Sequence, residues 1–599
     1  LKILLNHVGF EPGTRKQAIV EAPAGFTAAG FTVYNAATRE TVYKGELGDA
    51  KTVANWGVAD GARKHYRSAD FSRLDSEGDY FIAIDGVSPP LVSHTFGIRP
   101  RILGELLISD IVHYIKGQRC TGIFDIADRS RPLWGSKEAG QEIRRDVRGG
   151  WYDASGDVSK YLSHLSYSQF MNPQQTPMVV WNLLESLQQL PSRPSWVTEV
   201  MAETEGEEAE KHIAFFCKWF NERFTDEALH GADFLMRLQD PAGFFYMTVF
   251  DKWSKDENAR DICEYKQGGE KFASYQAAYR QGGGITIAAL ARASQLGRDG
   301  ETFTRAEYLA AATKGFAHLE AHNVEYLENG VENIIDDYCA LLAATELLAI
   351  SGDGDHADAA TRRVLNLLER QTEQGWFNAD SSGERSYFHA AEAGLVYLAL
   401  LRYLEVVPAS PLAGRIRDAL RRGYAFELAA TNEVSNPFGY PRQYVKHAGK
   451  PGKTQFFIPH DNETRYWWQG ENARLGSIAA AATRAAAFFA DEEATFAAAI
   501  AQYGDNALHW ILGANPFDAC MLQGWGRNNP RYEAGFFNAP GGVCNGITGG
   551  FDDDEDIAFP LTKVATMANS WRFTEQWMPH GAWLLLALCT RLNQQELAA

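Results

Sequence analysis

The chain has 599 residues, 45% hydrophobic and 22% charged, with 15 Trp, 24 Tyr and 34 Phe. That profile excludes disordered and fibrous classes and supplies apolar mass for more than one core. A formal net charge of −19 repels nucleic acid and anionic membrane on average and suits a neutral or cationic ligand, although acidity also serves plain solubility.

Residues 1 to about 100 read as short strands. The alternating run Tyr80-Phe81-Ile82-Ala83-Ile84, with turn signals at Glu77-Gly78-Asp79 and Asp85-Gly86, predicts a small antiparallel β-sandwich. Beyond Pro100 the period changes, and about twelve amphipathic helices with Ala-rich faces follow between 105 and 595. Thr176-Pro177 is expected to open one of them, with Thr as N-cap and Pro at the first helical position. Another runs through Asp336–Ala344 and stops at Gly352. Many antiparallel helices without a fixed sequence period favour a closed toroid over a solenoid.

The seven cysteines are scattered, and no pair has zinc-site or redox spacing, so reduced thiols and a cytoplasmic setting are expected. No apolar run approaches bilayer-spanning length, and the opening LKILLNHVGF lacks a secretory pattern.

Function is expected in the long Gly-, Asn-, Asp- and aromatic-rich stretches 123–173 and 514–570. In the first, Gly149–Tyr161 sets Asp153 and Asp157 on either side of a Ser-Gly turn. Two converging carboxylates can orient a water and take its proton. The same pattern also serves an Asx turn or half a calcium site. Near the other end, Glu575 stands among Trp571, Phe573 and Trp577, ahead of a helix over Ala582–Leu592. An apolar surround would keep its carboxyl protonated for proton donation, while a Glu at such a place can also simply cap the helix.

The segment GGWYDASGDVSKY at 149–161 resembles the signature GGW-x-DAGD-x-x-K, followed by Phe or Tyr, of glycoside hydrolase family 9. Asn6-His7-Val8-Gly9-Phe10, with Pro12 and Lys16, is similar to the opening of that family's N-terminal immunoglobulin-like domain. His230–Leu235 with Gly243-Phe244-Phe245 resembles its first long barrel helix and turn, Leu512–Pro516 its LGxNP element, and Thr574-Glu575 its NE motif. This ordered set spans nearly the whole chain. The resemblance implies a multi-domain protein, an immunoglobulin-like β-sandwich over 1–100 followed by an all-α (α/α)6 barrel over 101–599. It implies inverting hydrolysis, with Asp157 as general base, Asp153 as its partner in holding the water, and Glu575 as general acid. Acid and base should then stand roughly 6.5 to 9.5 Å apart. No cofactor is required; the run Asp552–Asp556 could hold a structural calcium or form a solvated acidic loop.

Three departures from the family pattern bear on substrate. DASGD has one residue more than DAGD, so the loop is expected to bulge. GRNNPRYE at 526–533 stands in place of a sugar-contacting PHHR-like segment, and Met578-Pro579-His580 replaces DYN. These features resemble the branch that acts as exo-β-D-glucosaminidase, releasing glucosamine from the non-reducing end of short chitosan-type oligosaccharides. A cationic 2-amino group requires a pocket carboxylate, for which Asp461, Glu471 and Glu533 are candidates. Tyr152, Trp467, Trp468, Trp571 and His580 complete the expected sugar contacts, the tryptophans as stacking platforms. The alternatives are an endo-β-1,4-glucanase or β-glucosidase of the same family, and a non-catalytic sugar-binding protein, which the retention of all three acids disfavours. The expected partner is an oligosaccharide, with neither nucleic acid nor membrane.

Overall fold

The computed structural model describes the chain except residues 59, 60, 62, 165–168, 191–205, 461, 463–468, 533–537, 560–566 and 599. The N-terminal unit has eight strands: β1 Lys2–Leu4, β2 Gly9–Phe10, β3 Gln17–Ala22, β4 Gly30–Asn35, β5 Thr41–Glu46, β6 His65–Asp70, β7 Gly78–Ile84 and β8 Phe96–Ile98. They form two sheets, ordered β1-β3-β6 and β2-β8-β7-β4-β5. Along β7, Tyr80, Ile82 and Ile84 turn inward in strict alternation, which packs them with Phe31, Val33 and Phe96 between the sheets. The pairing is not wholly antiparallel. The chain crosses from one sheet to the other after β1, so β2 lies parallel to β8, Gly9 opposite Gly97.

Among the described residues, twelve helices build the barrel: α1 Ile102–Gly117, α2 Thr176–Gln189, α3 Glu207–Arg237, α4 Gly283–Ala293, α5 Arg305–His322, α6 Ile334–Ser351, α7 Gly354–Arg370, α8 Leu395–Val406, α9 Ala413–Asn432, α10 Asn472–Phe489, α11 Ala494–Ile511 and α12 Met578–Ala598. The even-numbered helices form the inner ring, each packed on the next, with α12 closing on α2. Outside them, α1 packs on α12, α3 on α2, α5 on α4, α7 on α6 and α11 on α10, while α9 leans on α7, α8 and α11. This is an (α/α)6 barrel. Inner helices such as α4, buried at every residue, are apolar all round because they are enclosed on all sides.

Helix ends differ from expectation in two places that matter. Helix α2 starts at Thr176, so Gln175, not Thr176, occupies the N-cap, and its side-chain amide is left for another partner. Helix α12 begins at Met578, four residues before Ala582, bringing Glu575 within one turn of its start. The stop at Gly352 is as predicted, with φ 62° in the left-handed region.

The inner helices begin at one common rim. Gln174 there donates its backbone N–H to Glu392 Oε2 (2.8 Å) and its amide to Arg280 O (2.6 Å). The opposite end is closed by buried ion pairs, among them Arg484 to Glu185 (3.0 Å) and Arg402 to Glu346 (3.0 Å).

The sandwich docks on the barrel through paired polar contacts: His7 N–H to Leu512 O (2.9 Å), His7 to Asp518 (3.0 Å) and Glu11 to Arg591 (2.5 Å). The acidic run takes part. Asp553 accepts from Asn55 (2.7 Å), and Asp556 from the backbone N–H of Gly57 (2.8 Å). It therefore reads as a docking element, and among the described residues no group of three or more His, Cys, Asp or Glu side chains is placed to hold a metal. All seven cysteines are buried and none is in a disulfide, and no described helix is long and apolar enough to cross a membrane.

Candidate active site

A five-stranded sheet at the rim carries the site: β9 Arg131–Glu138, β10 Gln141–Arg145, β11 Lys160–Tyr161, β12 Thr248–Phe250 and β13 Asp261–Ile262, ordered β10-β9-β13-β12-β11. The loop 149–159 runs into β11 and is anchored from below. Lys160, 1% exposed, points its ammonium at Asp128 (2.7 Å), Val147 O (2.6 Å) and Gly149 O (2.8 Å). Arg260 grips the same Asp128 through both oxygens (2.7 and 2.9 Å) and bonds Val158 O (2.7 Å). Gly150, at φ 70°, faces the Phe234 ring, where a Cβ would sit 2.7 Å from Cδ1.

Within this frame Ala154-Ser155-Gly156-Asp157 closes a tight turn, Asp157 N–H to Ala154 O at 3.3 Å. The extra residue of DASGD does not loosen the loop. Ser155 N–H donates to Gln576 O (2.8 Å), Gln576 N–H returns to Ser155 Oγ (3.0 Å), and Met578 N–H reaches Asp153 O (3.0 Å). Residues 153–155 are thus zipped to 576–578, which fixes Asp157 relative to Glu575.

Asp157 also makes the Asx turn that the sequence left open: Oδ1 accepts Ser159 N–H (2.9 Å) and Oδ2 accepts the Tyr161 hydroxyl (2.8 Å). Asp153 Oδ1 accepts from Trp577 Nε1 (3.1 Å) and from the Gln175 amide. Glu575 Oε1 accepts the Tyr532 hydroxyl (3.3 Å). A Cβ built on Gly156 would lie 2.5 Å from both Glu575 Oε1 and the Tyr532 hydroxyl, so this position requires glycine for space.

Burial dominates the ionisation of all three acids. It raises Asp157 to about 6, helped by the Asp251 charge and opposed by the Ser159 and Tyr161 hydrogen bonds. It raises Glu575 to about 8, helped by Asp157 and opposed by the Tyr532 hydroxyl and Lys255. Asp153 lies well above the usual carboxylate range through burial and then the charges of Asp157 and Glu575. Between the two stated values Asp157 is ionised while Glu575 keeps its proton, the separation of roles that acid/base chemistry needs.

The predicted sugar contacts fare unevenly. Asp461, Trp467, Trp468 and Glu533 lie outside the described residues. Glu471 is 3% exposed and engaged by Arg474 (3.2 Å), Ile458 N–H (2.8 Å) and Gln443 (3.2 Å), so it braces the start of α10 rather than reading an amine. His580 is wholly buried against Asn545 (2.8 Å) beneath the rim. Tyr152 turns away from Asp153, its hydroxyl reaching Thr121 O (3.2 Å) and its ring meeting Phe124. Trp571 is partly buried, under the guanidinium of Arg572. Tyr161, Gln175 and Tyr532, which sequence reasoning passed over, hold the acids instead. Their signal was weak because each touches its carboxylate through the fold rather than through a motif, Tyr161 excepted.

An (α/α)6 barrel whose rim brings Asp157 close enough to act on Glu575 fits a hydrolase of glycosidic bonds. The chain belongs to glycosyl hydrolase family 9: residues 106–533 match that family and residues 1–89 match the cellulase N-terminal ig-like domain. Three solved structures are similar along nearly their whole length. GH family 9 endoglucanase J30 has 19% identity over 97% of this chain and 99% of its own, TM-score 0.64. A single mutant of a thermostable endoglucanase from Alicyclobacillus acidocaldarius has 17% identity over 99% of each chain, TM-score 0.60. AaCel9A, solved in complex with cellobiose-like isofagomine, has 17% identity over 99% of this chain and 100% of its own, TM-score 0.61. A comparison with curated protein sequences finds no match. Family membership sets aside the non-catalytic alternative, and Glu575 lies beyond the matched span, so its candidacy rests on the resemblance and the geometry above.

Proposed function

We propose that the protein cleaves β-1,4-linked gluco-oligosaccharides with inversion at the anomeric carbon. Asp157 and Asp153 hold a water; as it attacks C1 its proton passes to Asp157, while Glu575 protonates the departing glycosidic oxygen. The observation that carries this reading is the clamp of residues 153–155 on 576–578, which sets Asp157 and Glu575 at the turn walled by Gly156. The endoglucanase identity of the similar structures favours a glucan substrate over the glucosaminidase expectation, and Glu471 no longer serves as an amine reader.

Exo-β-D-glucosaminidase activity stays as a second reading on one observation: Asp153, Asp157, Asp251 and Glu575 gather four carboxyl groups in one buried place, where a cationic sugar would find acceptors. Proton NMR on cellotetraose and, separately, on the β-1,4-linked glucosamine disaccharide tests both. Early appearance of the α-anomer from cellotetraose is the expected result. Cleavage of the glucosamine disaccharide alone would move the assignment to the second reading, and a β-anomer appearing first would overturn inversion.

A further inference from the structure

Asp251, which follows β12 directly, is fully buried, yet among the described residues its hydrogen-bond donors are all uncharged. They are the Ser159 hydroxyl (2.6 Å) and the backbone N–H groups of Trp253 (3.1 Å) and Lys255 (2.6 Å). Asp251 returns its own N–H to Ser159 Oγ (3.3 Å). Ser159 therefore touches two carboxylates, its N–H on Asp157 Oδ1 and its hydroxyl on Asp251. A hydroxyl has one proton to give, and here Asp251 takes it.

The turn that Asp251 organises is strained. Lys252, Trp253 and Lys255 all have left-handed backbones, at φ 61°, 55° and 58°, a conformation disfavoured outside glycine. Such a conformation persists only where neighbours enforce it, and the two N–H groups captured by Asp251 are the enforcing bonds. The turn also brings Lys255 close enough to act electrostatically on Glu575.

We infer that Asp251 is a positioning residue that anchors the Ser159 hydroxyl and sets a negative charge behind Asp157, keeping Asp157 a strong proton acceptor. The inference rests on the reading of Asp157 as general base. The groups facing Asp157 are Asp153 and Tyr161 on its own segment, Asp251 from the β12 side and Glu575 from the α12 side, with Tyr265 behind Tyr161. Of these, Asp251 is the charge that follows burial in raising Asp157.

In Asp251→Asn the charge is gone while the amide oxygen still accepts the Ser159 hydroxyl, so the loss of charge favours the Asp157 carboxylate. The acidic limb of kcat/KM against pH should move down by about one unit, with the alkaline limb in place. Ser159→Ala keeps the charge and removes the donor, so its limb does not move down. Should Asp251→Asn fail to fold by circular dichroism, Asp251→Ser keeps an acceptor for the loop and reads the same shift. An acidic limb unmoved from wild type, whether kcat/KM is unchanged or uniformly lowered, overturns the inference. Asp157→Asn in parallel separates the two claims, since surviving turnover there would refute the base itself.

Discussion

Tyr161→Phe is the most direct probe of how Asp157 is tuned. The phenol is 1% exposed and donates to Asp157 Oδ2 at 2.8 Å, while its ring packs on His164, Phe250 and Tyr265, contacts that phenylalanine retains. A hydrogen bond to a charged acceptor is worth about 1.5–3 kcal/mol, and one pKa unit is 1.36 kcal/mol. Losing it should raise Asp157 by roughly one to two units from its value of about 6. Because a base works only when ionised, kcat/KM at pH 6 should fall roughly 5- to 50-fold and recover as pH climbs. Glu575 loses its proton near 8, so the active window narrows and its maximum drops. Initial rates on an oligosaccharide from pH 4.5 to 9 would show this. An acidic limb unchanged from wild type would refute the assignment of that hydrogen bond to base tuning.

Wild-type kcat/KM should itself be bell-shaped, with limbs near 6 and 8; a flat profile across that range would contradict the division of roles. Glu575→Gln should lose about 10²–10⁴-fold on a natural sugar leaving group and far less on an aryl glycoside that departs without protonation. Equal losses on both would argue against proton donation. Gly156→Ala drives a methyl into Glu575 and Tyr532 and should cut kcat by about 100-fold with little change in unfolding temperature. Lys160→Met strips Asp128 of one of its two cations and should lower stability by about 3–5 kcal/mol in urea unfolding; a wild-type midpoint would show that Arg260 suffices.

What was legible in the sequence was what local spacing encodes. The strand alternation at 80–84, the Gly352 stop and the two acids bracketing Ser-Gly all depend on neighbours within a few positions. Ligand geometry assembled across the chain was not. Asp251 meets Ser159 across 92 positions, Tyr532 meets Glu575 across 43, and Ser155 pairs with Gln576 across 421. Glu471 shows the reverse error. An acid at a helix start looks the same whether it faces a pocket or an arginine one turn on, and Arg474 stood at the i+3 spacing that answers the question. The serine added to DASGD, expected only to bulge the loop, is a clamp, because its amide and hydroxyl both find Gln576.

His7 of the sandwich occupies the space that side chains at Gly513 and Gly526 would need, with would-be Cβ atoms 2.5 and 2.6 Å from its side chain, and it receives the Arg527 N–H (3.2 Å). The chain from that point leads within a few residues to Tyr532 and hence to the proton on Glu575. The small module is therefore a keystone of the reactive wall. Swapping or trimming it would be felt as altered proton affinity at a distance as well as in the apolar seam that Trp56 makes with Phe438 and Trp510.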